Sequence, residues 1–155
     1  MGKRIEDCPL ARAVEYIGDW WTLELLHEAF DGRTRFEEFQ QNLKTPDGLL
    51  TQRLDALVGN GIMERRPDHN DPPRDEYVLT ELGRSLRPVI VTLAAWGNHR
   101  LGPAERGMIL VDSRTGEEVE PVVVDRGSGH RVDTADYAFT AGPAASCAML
   151  ARYQK

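Results

Sequence analysis

Side chains that pair with anionic oxygens are concentrated between residues 33 and 74. Guanidinium and ammonium groups donate charge-assisted hydrogen bonds, and the planar fork of arginine matches the geometry of phosphate. The segment holds seven basic and seven acidic residues, so its formal charge is zero in a chain whose net charge is −6. The basic side chains predicted to contact phosphate are Arg33, Arg35 and Lys44. A second group, Arg66, His69 and Arg74, frames the loop 67–74, whose tip can place a guanidinium in a narrow minor groove. The acidic balance of the whole chain argues against indiscriminate binding of polyanions, but it leaves room for a local contact surface.

An amphipathic helix is predicted in the middle of this segment. Thr45 is expected to be its N-cap, with Pro46 at the first helical position, where a missing N–H costs nothing. Asn60-Gly61 is typical of a left-handed C-terminal cap. A buried face is predicted from the spacing of Leu50, Leu54, Leu57 and Val58.

The opposite face of that helix carries side chains that can read nucleic-acid bases. Gln52 can form two hydrogen bonds with adenine, and Thr51 can bond a base or a phosphate. Gly48 permits close backbone approach near the helix N-terminus, where free N–H groups suit a phosphate. Leu49 and Arg53 lie at the flanks of this face. Taken alone, such a helix is more often simply a solvated one, so its neighbours along the chain decide the interpretation.

The elements around this helix predict a helix-turn-helix followed by a hairpin. Two helices are expected before Gly32, with Asp19 capping the second, and a short helix follows with a capping box formed by Thr34 and Glu37. Strands are predicted at residues 62–66 and 76–79, joined by the loop 67–74. Thr80 is expected to cap a long helix that reaches about Leu101 and bends at Pro88. A short helix, a tight turn, an amphipathic helix and a hairpin together make a winged helix-turn-helix, whose second helix fits the major groove.

Several motifs in order resemble the HxlR-type winged helix-turn-helix transcriptional regulators, which are relatives of the MarR regulators. The resemblance covers roughly residues 8–101. It rests on Cys8-Pro9, Ile17-Gly18-Asp19-Trp20-Trp21, Arg35-Phe36-Glu37-Glu38, Leu50-Thr51-Gln52-Arg53-Leu54, Asn60-Gly61-Ile62 and residues 72–83, Pro-Pro-Arg-Asp-Glu-Tyr-Val-Leu-Thr-Glu-Leu-Gly.

This resemblance implies a homodimer, joined mainly through terminal helices, that binds a two-fold-related double-stranded operator. A cytoplasmic location is expected because the N-terminus has no apolar signal-peptide core and the two cysteines make no disulfide framework. Repression is expected rather than activation. The second apolar face of the 80–101 helix fits such an interface through Val89, Leu93 and Trp96. Candidate DNA contacts are then Arg33, Arg35, Lys44, Thr45, Gly48, Leu49, Thr51, Gln52, Arg53, Arg66, His69 and Arg74. An unknown small-molecule effector remains a possible partner.

Two domains are predicted, the regulator-like residues 1–102 and a small β-rich extension at 103–155. The fold class expected for the whole is α+β. Within the extension, Asp, Gly and Val recur with an offset of 13 residues, which predicts two successive hairpin-like turns. An alternative function stays open here. In this alternative the extension itself is the working part, as a small-ligand-binding or protein-interaction module.

Cys8 is a candidate redox sensor, because some HxlR-type regulators use a cysteine just before the first helix. The other interpretation is a half-buried cysteine that acts as a small apolar residue. Cys147 is expected to be inert. The four histidines show no metal-ligand spacing, and no phosphate loop or nucleophile elbow is present, so neither catalysis, a cofactor nor a metal is expected. No apolar run is long enough to span a membrane.

Overall fold

The computed structural model describes residues 7–154, and the described part forms seven α-helices, a short 3-10 helix at Pro103–Glu105 and one two-stranded sheet. Two helices come first, and they are followed by the helix-turn-helix, the hairpin and then further helices. Their bounds are α1 Pro9–Ile17, α2 Trp20–Phe30, α3 Phe36–Leu43, α4 Asp47–Gly59, β1 Met63–Pro67, β2 Asp75–Leu79, α5 Glu81–Arg84, α6 Arg87–Gly97 and α7 Cys147–Tyr153.

Capping groups fix the ends of several helices. The predicted N-caps Asp19 and Thr80 are confirmed: the Asp19 carboxylate accepts the N–H of Trp21 at 2.8 Å, and the Thr80 hydroxyl accepts that of Gly83 at 3.1 Å. The predicted left-handed end of α4 is also confirmed. Gly61 has φ +71°, and the N–H of Ile62 reaches back to the carbonyl of Leu57 at 2.9 Å, as in a Schellman motif.

Two predicted N-termini are displaced by one residue. Pro46, not Thr45, occupies the N-cap of α4, so the helix begins at Asp47. At α3 the reciprocal carboxylate belongs to Glu38 rather than Glu37, because the N-cap is Arg35 and the third helical position therefore falls one residue later. Glu38 accepts the N–H groups of Thr34 and Arg35, each at 3.0 Å. These two hydrogen bonds lower the pKa of Glu38, and the bond from Thr34 has the larger effect.

One hydrophobic core holds α2, α3, α4 and the hairpin together. The predicted buried face of α4 is confirmed, since Leu50, Leu54 and Leu57 are almost fully enclosed and Val58 is partly buried. The core consists of Leu25, Leu26, Phe39, Leu50, Leu54, Leu57, Ile62, Met63 and Tyr77. Because α4 contributes three of these nine side chains, the orientation of its outer face is fixed by burial of its inner one.

The hairpin forms the predicted wing. Strands β1 and β2 pair antiparallel with Met63 opposite Leu79 and Pro67 opposite Asp75, within one residue of the predicted bounds. A single bridge adds the segment before α3 to the edge of β2, pairing Arg35 with Glu76. The molecule therefore has a helix-turn-helix with a small antiparallel wing, as the sequence predicted.

The prediction of one long helix from Thr80 to about Leu101 is wrong. The structure has α5 and α6 instead, separated at Ser85 and Leu86. Pro88 has no N–H to donate to the carbonyl four residues earlier, which is that of Arg84, and proline also disfavours helical geometry in the preceding residue. The helix consequently breaks where that bond would have formed, and α6 ends at Gly97, a poor helix former.

Contacts divide the described chain into two compact units, Pro9–Ile90 and a second unit that joins residues 7–8 to 91–154. In the second unit the predicted β-rich character is not found: its described residues form only two isolated bridges, Val111 with Glu118 and Val124 with Arg131. These confirm two hairpin-like turns 13 residues apart. Pairing stops there because local side-chain bonds close each turn, and Pro121 between them cannot donate to a ladder. No helix in the described residues is long and apolar enough to cross a membrane.

Candidate nucleic-acid interface

The outward face of α4 presents a short series of polar and small residues. Gly48, Thr51 and Gln52 are exposed, and Leu49 is half-buried at the edge of the face. A Cβ placed on Gly48 would meet nothing within 4 Å, so the backbone there is open to a ligand. The Thr51 hydroxyl donates to the carbonyl of Asp47 at 2.9 Å, which leaves its oxygen free to accept. This face has the size and chemistry of a surface that reads base edges.

Thr45 lies in the turn before α4, but its side chain is not presented outward. The residue is 4% exposed, and its hydroxyl donates to the carbonyl of Leu43 at 3.3 Å. Lys44 beside it is exposed and adopts a left-handed conformation at φ 50°, which ends α3. In this turn the ammonium of Lys44, rather than the hydroxyl of Thr45, faces solvent.

Arg53, on α4, is held against the start of α2. Its guanidinium contacts the Asp19 carboxylate at 2.9 Å, while the other oxygen of that carboxylate caps α2. The Arg53 Nε is buried and has no hydrogen-bond partner. One carboxylate thus ties the start of α2 to the flank of α4, and Arg53 helps to fix the angle at which α4 is presented.

Arg35 and Asp68 form a clamp between the start of α3 and the base of the wing. The Arg35 Nε and Nη2 atoms lie 2.8 and 2.7 Å from one oxygen of Asp68, whose side chain is 3% exposed. The N–H of Asn70 donates to the other oxygen at 2.8 Å and, together with Arg35, lowers the pKa of Asp68. The Asp68 carboxylate in turn raises the pKa of Arg35. Arg35, predicted from the sequence to contact phosphate, is thus paired with a carboxylate, and no sequence signal marked Asp68 as its partner.

The remaining arginines of the wing each lie beside a carboxylate. Arg65 contacts Asp75 at 2.6 Å, and Arg66 contacts Glu76 across the strands at 2.8 Å. Arg74, near the tip of the wing, has the longest of these contacts, 3.5 Å to Asp71. Arg33, before α3, lies 3.9 Å from Glu28, and His69 at the tip is exposed. Each of these arginines is thus balanced locally by a carboxylate.

The remaining predicted residues lie outside this interface. Val89, Leu93 and Trp96 are exposed on α6, Trp96 with 76% of its surface. Cys8 is half-buried and Cys147 exposed, and both are free thiols. The residues next to them meet: the Asp7 carboxylate accepts the backbone N–H of Ser146 at 2.7 Å and its hydroxyl at 3.1 Å. No sequence pattern indicated this contact, because its partners are 139 residues apart.

Sequence comparisons show that this chain is similar to a family of transcription regulators. The model of a family described as HxlR-like helix-turn-helix matches residues 16–105. The uncharacterized HTH-type transcriptional regulator Rv3095 of Mycobacterium tuberculosis is 37% identical over 144 residues, covering 92% of this chain and 91% of the relative. The similarly named YybR of Bacillus subtilis is 37% identical over 93 residues, which are 59% of this chain and 74% of that protein.

Solved structures of transcription regulators are similar to this chain as well. The crystal structure of PA1607, a candidate transcription factor, superposes with a TM-score of 0.78 at 34% identity and covers 88% of this chain and 95% of its own. The redox regulator HypR in its reduced form reaches 0.55 at 34% identity, covering 61% of this chain and 96% of its own. Some relatives therefore match about nine tenths of this chain, whereas others match about three fifths of it.

Proposed function

The chain belongs to the HxlR-like helix-turn-helix family of DNA-binding transcription regulators, which are not enzymes, and from this premise we propose that it binds a specific duplex operator as a homodimer through α4 and the wing. The observation that carries the proposal is the outer face of α4. It is exposed at Gly48, Thr51 and Gln52 and held in place by a leucine core on its inner side.

Each candidate residue has a distinct role in this proposal. Gln52 reads an adenine and Thr51 a neighbouring base or phosphate, while Gly48 and Leu49 let the backbone approach the DNA. Phosphates along both rims are contacted by the exposed cations Arg33, Lys44 and Arg74, with His69 at the tip of the wing. The helix-turn-helix and the wing are oriented by the ion pairs of Arg35, Arg53 and Arg66, whose remaining N–H groups bind the DNA backbone. Thr45 stabilises the turn before α4 from its buried side.

The ion pairs of the wing are compatible with phosphate binding. Exposed pairs contribute only about 0–1 kcal/mol each, so exchanging a carboxylate for a phosphate costs little. The contact of Arg74 with Asp71 is both long and exposed, which makes Arg74 the cation most readily transferred to DNA. Intramolecular pairing also keeps the free protein from binding nucleic acid indiscriminately.

Fluorescence anisotropy with DNA from upstream of the protein's own coding region tests this function. We expect a specific complex whose affinity falls linearly with salt on a double-logarithmic scale. Gln52→Ala should cost about 1–3 kcal/mol and relax the preference for one base, whereas Arg74→Ala should reduce the salt slope by about 1. The matched controls Gln154→Ala and Arg126→Ala remove the same groups from the segment after residue 91 and should change neither quantity. Equal affinity for all sequences would contradict the proposal.

The homodimer is supported by the exposed apolar side chains of α6. Val89, Leu93 and Trp96 form a surface of the kind that monomeric proteins rarely leave uncovered. We expect sedimentation to give twice the chain mass, and Leu93→Asp to halve it. Val119→Asp, a substitution of similar exposure outside this surface, is the control and should leave the mass unchanged.

Repression follows most simply from occupancy of an operator that overlaps a promoter, since a bound dimer excludes polymerase. The same function places the protein in the cytoplasm, where bacterial DNA lies. In run-off transcription from a template carrying the operator, added protein should lower transcript yield. A rise in yield would assign activation instead.

Redox control through Cys8 is a second element of the proposal. HypR is a redox regulator of the same fold, and Cys8 lies directly before α1 as a free, half-buried thiol. Treatment with a hydroperoxide should change the operator affinity of the native chain and leave that of Cys8→Ser unchanged. An identical response of both chains would remove Cys8 from the mechanism.

The segment after α6 supports a different candidate function, as a ligand-binding or protein-interaction module. Phe139 is 78% exposed there, and several valines and Met108 are exposed as well. Deletion after Leu101 separates the possibilities. A changed oligomeric state indicates that the segment caps the dimer, a changed ligand response indicates an effector module, and loss of all DNA binding contradicts the regulator assignment of residues 1–102.

A further inference from the structure

A cavity of about 420 Å³ opens in the unit Pro9–Ile90, away from the exposed face of α4. Its walls come from the end of α2, the chain before α3, strand β2, the end of α5 and the start of α6. The residues that matter for its chemistry are Phe30, Arg33, Tyr77, Leu79, Arg84 and Arg87. The volume lies within the range of small-molecule sites, about 300–1,000 Å³.

Three guanidinium groups share this cavity. No carboxylate is among its lining residues, although the chain as a whole is acidic. Arg33 lies 3.9 Å from Glu28 and is half-exposed, which is a loose contact. Arg84 donates one N–H to the carbonyl of Leu79 at 2.6 Å, and the Arg87 guanidinium lies over the Phe30 ring at 5.5 Å. Because a guanidinium has five N–H donors, each arginine keeps donors for a bound anion.

Apart from Thr34, the rest of the lining is apolar or aromatic. Ala29, Phe30, Val78 and Leu79 contribute aliphatic or ring surface, and burial of the Tyr77 hydroxyl raises its pKa. Inorganic phosphate would pair with the arginines but would leave the apolar part of the lining exposed to water. A ligand with an apolar body and one anionic end satisfies both parts of the lining.

We propose that this cavity is a binding site for a small aromatic or otherwise apolar organic acid. Its carboxylate pairs with Arg84 and Arg87, and its body packs on Phe30 and Leu79. The binding claim is independent of the proposed function.

A coupling to DNA binding follows from the walls of the cavity, and this part rests on the proposed function. Tyr77 to Leu79 belong to strand β2 of the wing, and the N–H of Tyr77 donates to the carbonyl of Thr34 at 2.7 Å. Thr34 in turn is bonded to Glu38 of α3. Arg33 is both a cavity residue and a candidate phosphate contact, so a bound acid competes for the same guanidinium. Ligand and operator should therefore weaken each other by the same factor.

Isothermal titration calorimetry on the full-length protein tests the site, with 1-naphthoate, benzoate, neutral 1-naphthalenemethanol and inorganic phosphate as probes. We expect 1-naphthoate to bind more tightly than benzoate, and the alcohol and phosphate to bind at least tenfold more weakly than 1-naphthoate. Arg84→Met and Arg87→Met should each lower 1-naphthoate affinity by about tenfold or more, the usual effect of losing a hydrogen bond to a charged group. Arg126→Met, which removes the same charge outside the cavity, should have no effect.

The amide resonances of Tyr77, Val78 and Leu79 in the native chain give a second measurement that does not depend on the stability of any variant. They should shift on titration with 1-naphthoate. Unshifted resonances, no binding of 1-naphthoate at about 1 mM, or equal binding of acid and alcohol would each overturn the site. Binding that leaves operator affinity unchanged would keep the site and overturn only the coupling. A protein that binds 1-naphthoate but no DNA would refute the proposed function alone.

Discussion

Residues 9–90 and residues 91–154 are stabilised in different ways. Of the apolar side chains that are buried in the described chain, nine lie in the first segment, and Met149 lies in the second. The first segment encloses a core on which helix caps and ion pairs are arranged. The second is organised by local turns, in which Asp112 and Asp125 bond the backbone two and three residues ahead. A fold that rests on a core fixes the position of its surface groups, which is what a sequence-reading interface needs.

The largest expected effect belongs to the core of the first segment. Leu54 is fully buried at the centre of α4. Leu54→Ala should lower the free energy of unfolding by about 2–5 kcal/mol, because it leaves a cavity that the surrounding helices cannot fill. Urea denaturation followed by circular dichroism measures this. A loss below about 0.5 kcal/mol, the level of ordinary surface changes, would show that the core is not what holds this segment.

A smaller effect is expected at the start of α3. Glu38→Ala removes the acceptor of two backbone N–H groups and should cost about 1 kcal/mol, the usual size of a lost cap. Glu37→Ala is the matched control, an exposed glutamate one residue earlier, and should change stability by less than about 0.5 kcal/mol. Equal losses from both variants would assign the effect to helix charge rather than to capping.

The clamp between Arg35 and Asp68 should make the stability of the first segment depend on pH in the acidic range. The folded pKa of Asp68 is lowered, by the N–H of Asn70 first and by Arg35 as well, relative to an unfolded value of about 3.9. Its contribution to stability is therefore complete above the unfolded pKa and is lost as the pH falls through the folded pKa. Asp68→Asn should be less stable than the native chain at pH 7, and this difference in stability should become smaller below about pH 4. Urea unfolding midpoints of both chains, measured from pH 7 to below pH 4, test this. A gap that stays constant with pH would rule out the ionised clamp.

The smallest effect is expected in the second segment. Phe139 has the same apolar character as the core residues but is largely exposed in the single chain. Phe139→Ala should change the free energy of unfolding by less than about 0.5 kcal/mol in dilute solution, where no partner covers it. Measured beside Leu54→Ala in the same urea series, it gives the contrast between the segments directly. A loss of several kcal/mol would mean that the second segment has a hidden core of its own in solution.

Most of the first segment could be predicted from the sequence, because its signals are local. The spacing of Leu50, Leu54 and Leu57 gave the buried face of α4, and Asp19, Thr80 and Asn60-Gly61 gave helix ends. The register of a cap is decided by backbone geometry, so Thr45 and Glu37 were each one residue off. The apolar spacing of residues 80–101 is continuous and predicts one helix. The break before Pro88 depends instead on a single missing backbone hydrogen bond, which this spacing does not reveal.

The partners of the arginines could not be predicted, because they depend on tertiary contacts. Arg35 contacts Asp68 across 33 residues of sequence and Arg53 contacts Asp19 across 34, so side chains expected to face phosphate are in part held by carboxylates. An Asx-turn signal was present in Asp68-His69-Asn70, where the carboxylate accepts the N–H two residues ahead. That signal indicates a turn, however, and says nothing about which cation lies opposite.

Selection from a random duplex library by the full-length protein tests the central claim most directly. A dimeric reader that uses α4 should enrich a two-fold-symmetric sequence, with half-site centres separated by about one helical turn of DNA or a multiple of it. Gln52→Ala should enrich a related sequence with one relaxed position in each half-site. If no sequence is enriched over the starting library, this protein is not a sequence-specific reader of DNA, and its function has to be sought in the arginine-lined cavity or in residues 103–155.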